Sequence, residues 1–580
     1  MDPSSLSNPN EAILKHLHWV VNVNFNTCTL QATATYDVEL LSDNVTCLKL
    51  DTKYLVITSV SVENEVVTNC SLSDLNKEKE HLGQCLTIPL SSKNQKAIKV
   101  SIEYGTTSRC SALQWLPPAQ TAGKVYPYLF TQCQAIHARS LVPCQDCPGV
   151  KMTYTAQITT PNWATCVMSA ISTTLKENDA ISTKETNTFA FEQTVPISSY
   201  LLAMAVGQLA SHTISPRVQI WSEPEILPAC AKEFTSTETF LKIAEDLTFD
   251  YVWKRYDLLC LPPSFPYGGM ENPCLTFVTP TLLAGDGSLV DVVAHEIAHS
   301  WTGNLVTNKT WEHFWLNEGW TVWLQRKIMT RVKKDERFLE FDSISGWKGL
   351  KDSVELLPDK FTSMIPKLGD EDPDEAFSRV PYEKGFNLLY YLERLIGKED
   401  FEAFAKAYLH KFKNATVTSY EFKDFFMSHF KSHEQVKEID WDVWLHSPGM
   451  PPVTPSFDQS LASEALKLAE EWMTFDSNED SIDISNAPTT SLKGWDTQQI
   501  TCFLDALMTH CKKRKVPLKV NTIHTMTAIY KMGDSKNSEI LSRFCQLAIA
   551  AGMCYNGTCH CFCFCFCFHL LAHLLLLFSL

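Results

Sequence analysis

Two histidines four residues apart, with a glutamate beside the first, stand in the stretch VVAHEIAHSW at residues 292–301. On a helix, His295 and His299 share one face, a turn apart. Neutral imidazole nitrogens at that spacing can bind one tetrahedral zinc ion. Glu296 is offset by about 100° and is no third ligand with them, but it can reach a water in front of the metal. Val292, Val293, Ile297 and Trp301 would bury the remaining faces. The same pair could also decorate an amphipathic helix that holds no metal, so a zinc site needs a third ligand.

The metzincin extension does not supply one. Thr302 stands where that pattern requires glycine, and Leu305 where it requires a third histidine. The chain instead carries WLNEGW, in which Glu318 lies nineteen residues beyond His299. A carboxylate there, on a second helix, would complete a His2Glu set and leave a fourth position for water. Three protein ligands with an adjacent base point to hydrolysis.

Patterning along the chain indicates the scaffold for these residues. At 580 residues the chain is too long for one core. Residues 1–208 read as a β domain: HWVVNVNF, TCTLQATATYDVEL, CLKLDTKYLVITSVSV, KAIKVSIEY and MTYTAQITT are short runs rich in Val, Thr, Ile and Tyr. From 209 to 445 the pattern turns helical, with apolar positions at i, i+3 and i+4 in TSTETFLKIAEDL, LVDVVAHEIAHSW and GWTVWLQRKIMTRV. HSPGMPPVTPSF (446–457) holds four prolines and a glycine and reads as a linker. Within 458–553, SLASEALKLAEEWM, TQQITCFLDALMTHC and NTIHTMTAIYKM read as a small helical domain.

A net charge of −16 argues against nucleic acid or an anionic membrane as the main partner. The N-terminus lacks a basic stretch followed by an apolar one, so no secretory signal is expected and the cytoplasm is the expected compartment. The 21 cysteines fit that expectation, scattered as free thiols are. Cys144 and Cys147, in PCQDCPG, lack a second pair for zinc and a βαβ setting for redox work, and are expected to be plain thiols.

Upstream of the histidines, PYGGMENPCLTF (266–277) contains Gly-Gly-Met-Glu-Asn. With HEIAH, WLNEG and the wider wording HSWTGNLVTNKTW, YLFTQCQAIHARSLVPCQD and VPYEKGF, this set resembles the zinc aminopeptidases of peptidase family M1. The resemblance implies a multidomain mixed α and β fold. Its parts are an N-terminal β-sheet saddle domain, a thermolysin-like, mostly helical zinc catalytic domain and a C-terminal α-helical domain, incomplete here. It implies one Zn2+ per chain, held by His295, His299 and Glu318, with Glu296 as general base and Tyr382 as donor to the tetrahedral oxyanion. Tyr267, Gly268, Gly269, Met270 and Glu271 are implied to bind substrate, Glu271 taking the α-ammonium of a short peptide with Gln134 assisting. One branch of the family also opens an allylic lipid epoxide to a dihydroxy acid, and there Asp374 is implied to direct water to a distant carbon.

Some residues depart from the family pattern. Ala298 stands where serine is common, Gln325 where glutamate is, and Phe377 replaces a tyrosine that lines the lipid pocket; Trp320 follows WLNEG where a different ring is usual. No Lys or Arg follows Arg543, so no residue can be assigned to the basic pair that binds substrate carboxylates, and weak carboxylate binding is expected. The last stretch, CYNGTCHCFCFCFCFHLLAHLLLLFSL (554–580), is of low complexity. A translated simple nucleotide repeat accounts for the Cys-Phe alternation best. A tail anchor and a Cys/His metal tract are the weaker alternatives, so membrane association is not expected.

Overall fold

Along the first long strand, Ala12–Asn24, the buried apolar side chains begin at even positions, Ala12 and Leu14, and continue at odd ones, Leu17, Trp19, Val21 and Val23. The switch is a β-bulge: Leu14 pairs with Val38 and His16 with Asp37, so Lys15 has no opposite residue. One extra residue reverses the alternation and keeps the apolar set on a single face. The structure, a computed structural model, describes residues 2–90, 95–173, 185–478 and 484–553. The low-complexity stretch 554–580 lies outside the described residues, and so do all three readings of it.

Ala12–Asn24 runs antiparallel to Thr29–Leu40 and parallel to Lys151–Pro161 inside an eight-stranded sheet. Three- and four-stranded sheets complete the β-rich N-terminal part. Its Cys144 and Cys147 are free and fully buried, and burial pushes both thiols up.

The chain divides into two compact units. The first takes in the described residues up to Pro280, with Val290–Val332 and Asp359–Pro455. Beyond residue 209 it is not helical alone: a five-stranded sheet comes first, built from Ala210–Ser215, Val218–Ser222, Asp257–Cys260, Leu275–Val278 and the edge strand Gly269–Met270. Asp257–Cys260 and Leu275–Val278 pair in parallel and are buried throughout. Four-residue apolar runs buried on both faces carry no alternation, so sequence periodicity does not register them. The three helices expected from the pattern are present, as Thr237–Leu247, Asp291–His299 (α1) and Trp315–Lys333 (α2), and the structure adds Gly385–Ile396 (α3).

The second unit joins Thr281–Leu289, Lys333–Pro358 and the described part of 456–553. Its helices Ser463–Ser477, Thr497–Arg514, Val520–Tyr530 and Ser538–Ala550 bury Leu468, Trp472, Phe503, Leu507, Met526 and Phe544 in one cluster. Buried Asp476 ties three segments together, accepting from Arg514 Nη2, Lys519 N and Thr522 Oγ1, each at 2.7 Å. Among the described residues no helix is long and apolar enough to cross a membrane.

Candidate metal centre

The α1 turn places His295 Nε2 and His299 Nε2 3.1 Å apart. Glu318, in the first turn of α2, brings its Oε2 to 3.5 Å from both nitrogens. Two atoms each about 2.1 Å from one ion at the tetrahedral angle lie about 3.4 Å apart, so these separations suit three ligands of a single zinc. The far side of each ring is engaged. His295 Nδ1 lies 2.8 Å from Gln325 Oε1, and His299 Nδ1 lies 3.1 Å from the Thr302 carbonyl and from Thr321 Oγ1. An N–H on each Nδ1 leaves a lone pair on each Nε2, aimed where Glu318 points.

Glu318 Oε2 is buried without a hydrogen-bond partner among the described residues, and so are Glu296 Oε2 and Glu271 Oε1. A carboxylate removed from water needs a partner, and a divalent cation between the rings supplies one. Burial pushes the Glu296 carboxyl well above the usual range, opposed by His295 and reinforced by Glu271 and Glu318. It raises Glu271 as well. The rings diverge: burial lowers His299 to about 4, whereas at His295 the lowering by burial is outweighed by the adjacent Glu318 and Glu296 carboxylates, which raise it to about 9. A divalent charge reverses this balance, favouring neutral rings and ionised carboxylates. The residues fit the metal.

Glycine at 269 has a steric reason. A Cβ built there would stand 2.3 Å from Glu296 Oε1, so the edge strand can pass over α1 only without a side chain. That approach brings Glu271, Glu296 and His299 together, with ligand atoms within 4.8 Å of one another. Met270 is buried with its sulfur 3.4 Å from Gln132 Nε2, and Asn304 Nδ2 donates to the Glu271 carbonyl at 2.7 Å. A second close passage joins α2 to α3: a Cβ on Gly319 would meet Gly385 Cα at 2.7 Å. Tyr382 belongs to the wide π-helical turn Val380–Lys384 that leads into α3. Its ring stacks on His295 with centroids 6.0 Å apart and 21° between planes.

Gln134, Tyr267 and Asp374 fall together on a neighbouring cavity whose walls are largely apolar, with Trp311, Phe314, Leu368 and Phe377 prominent. Gln134 Nε2 is buried there without a hydrogen-bond partner among the described residues. Asp374 is half-exposed, its Oδ2 2.9 Å from His137 Nε2. Sequence reasoning missed His137, Thr302 and Thr321. Single polar residues far apart in the chain carry no pattern. Of the aromatic wall only Phe377 was foreseen; nothing in the chain marks Trp311 and Phe314 as pocket residues.

The peptidase family M1 domain matches residues 233–444, the peptidase M1 N-terminal domain 14–201, and the leukotriene A4 hydrolase C-terminal domain 495–558. A leukotriene A-4 hydrolase of Xenopus laevis is 44% identical over 559 residues, covering 95% of this chain and 89% of the relative. The chain belongs to peptidase family M1. It is a zinc metallohydrolase, with the β-rich, catalytic and C-terminal helical parts of that family. A leucine aminopeptidase 2 of Aspergillus terreus is 40% identical over 565 residues, covering 95% of this chain and 88% of its own length. The solved structure of yeast LTA4 hydrolase in complex with bestatin superposes with a TM-score of 0.87 at 36% identity, covering 95% of this chain and 88% of that one.

Proposed function

We propose that this M1 enzyme removes N-terminal residues from short peptides in the cytoplasm, with His295, His299 and Glu318 holding the zinc. The observation that carries the reading is Glu271: a buried carboxylate with an unpartnered oxygen, converging with Glu296 and His299 from the edge strand. An α-ammonium satisfies that oxygen and restores charge balance, and an N-acylated peptide cannot. Bound zinc supplies Lewis acidity toward the scissile carbonyl. Glu271 fixes the amino end, which registers the first peptide bond opposite Glu296. Glu296 takes a proton from the attacking water and returns it to the leaving amine. Tyr382 donates to the oxyanion as charge builds there. The test compares alanyl-anilide with its N-acetyl form on the native enzyme and on Glu271→Gln. Free-amine selectivity that disappears in Glu271→Gln, with zinc retained, supports the reading; equal turnover of both substrates by the native enzyme refutes it.

The apolar cavity favours a second activity of the same centre, hydrolysis of leukotriene A4 to leukotriene B4. A long acyl chain would suit walls such as Trp311, Phe314 and Phe377, and Asp374 would direct water to a carbon remote from the epoxide. Asp374→Asn should remove dihydroxy-acid formation while alanyl-anilide turnover survives. Loss of both activities together would refute the separate role of Asp374.

A further inference from the structure

Tyr382 sits on a turn rather than within a regular helix, yet a proton donor must be held to within fractions of an ångström. The turn is fastened by buried charge. Glu383 accepts two parallel hydrogen bonds from Arg326, Nη1 to Oε2 and Nη2 to Oε1, each at 3.0 Å. Both side chains are buried, at 3% and 5% exposure. Arg326 lies on α2, eight residues after the ligand Glu318, and its guanidinium rests 4.1 Å over the Phe386 ring. The Glu383 carbonyl accepts from Asn387 Nδ2 at 2.7 Å. Lys384 Nζ donates to the carbonyls of Thr362, Ser447 and Gly449 at 2.9, 2.9 and 2.8 Å. A buried ion pair adds little net stability over an apolar pair of similar volume, but its fork fixes both distance and orientation.

We propose that Arg326 and Glu383 form a positioning pair that registers the Tyr382 hydroxyl against the helix carrying Glu318. The pair acts through Tyr382 and touches no substrate; the inference rests on the oxyanion-donor role proposed for that tyrosine. The test is a double-mutant cycle on zinc-loaded protein, following kcat and KM for alanyl-anilide. Glu383→Gln should lower kcat about tenfold or more with KM within about twofold, because the loss falls on the transition state. In a Tyr382→Phe background the same substitution should change kcat less than about twofold, because no hydroxyl is left to misplace. If Glu383→Gln does not fold, Arg326→Lys, which keeps the charge and loses the fork, takes its place in the cycle. An equal loss in both backgrounds, or none in the native one, overturns the proposal. A Tyr382→Phe enzyme with native kcat instead overturns the donor role itself.

Discussion

Gln325 offers a direct measure of how the protein tunes its metal. It accepts from His295 Nδ1 at 2.8 Å, fixing that ring with its lone pair toward His299 and Glu318. Removing the acceptor, as in Gln325→Leu, frees the ring and lowers its basicity; partners of metal-bound histidines typically carry about 10- to 100-fold in affinity. Gln325→Glu makes the bond charge-assisted. A neutral hydrogen bond contributes about 1 kcal/mol net and one to a charged group about 1.5–3, so the gain is about 1 kcal/mol, or roughly fivefold tighter zinc. Partial burial of the new carboxylate trims that figure. Competition against a fluorescent zinc chelator reads affinity without reference to turnover. The zinc-dependent rise in melting temperature checks it, since tenfold in Kd is about 1.4 kcal/mol of linked stability at saturating metal. A Gln325→Leu protein that holds zinc as tightly as the native one, or a Gln325→Glu protein that holds it more weakly, would refute the reasoning.

Gly269→Ala sets a Cβ 2.3 Å from Glu296 Oε1, and a displacement of that size should cost about 100-fold in kcat with zinc content unchanged, read by turnover and metal analysis together. Burial, opposed by Glu421, lowers His313 to about 4, below its ordinary 6.5, so the folded state keeps the ring neutral while the unfolded chain takes up a proton. Stability from this group is therefore complete above pH 6.5 and is lost as pH falls toward 4. About 3 kcal/mol is at stake, and His313→Gln should flatten melting temperature against pH across that window. Asp476→Asn leaves Arg514 short of its buried counter-charge, 2.7 Å away, and should lower the stability of the helical unit by about 3 kcal/mol, seen as an earlier thermal transition.

What the sequence made legible tracks how local each constraint is. His295, Glu296 and His299 are fixed by one helical turn, and Glu318 by the start of the next long helix, so spacing alone assembles a plausible ligand set. Gly269 shows where locality ends. Read alone, its pair with Gly268 means a turn; its reason is the Glu296 carboxylate of a different element, pressed against the strand. The buried strands at 257–260 and 275–278 lacked alternation because both faces are covered, and the sheet that carries Glu271 vanished from the pattern with them. Long-range polar pairs are harder still. Nothing in the chain links Arg326 to Glu383 or His137 to Asp374 until the fold brings them within hydrogen-bond reach. The candidate metal ligands could thus be read because a helix repeats, whereas the groups proposed to hold ligands, base and proton donor in register depend on tertiary packing. The consequence for function is testable. Substitutions at the ligands should abolish zinc binding outright, whereas those at Gly269, Arg326 and Glu383 should leave the metal in place and lower kcat.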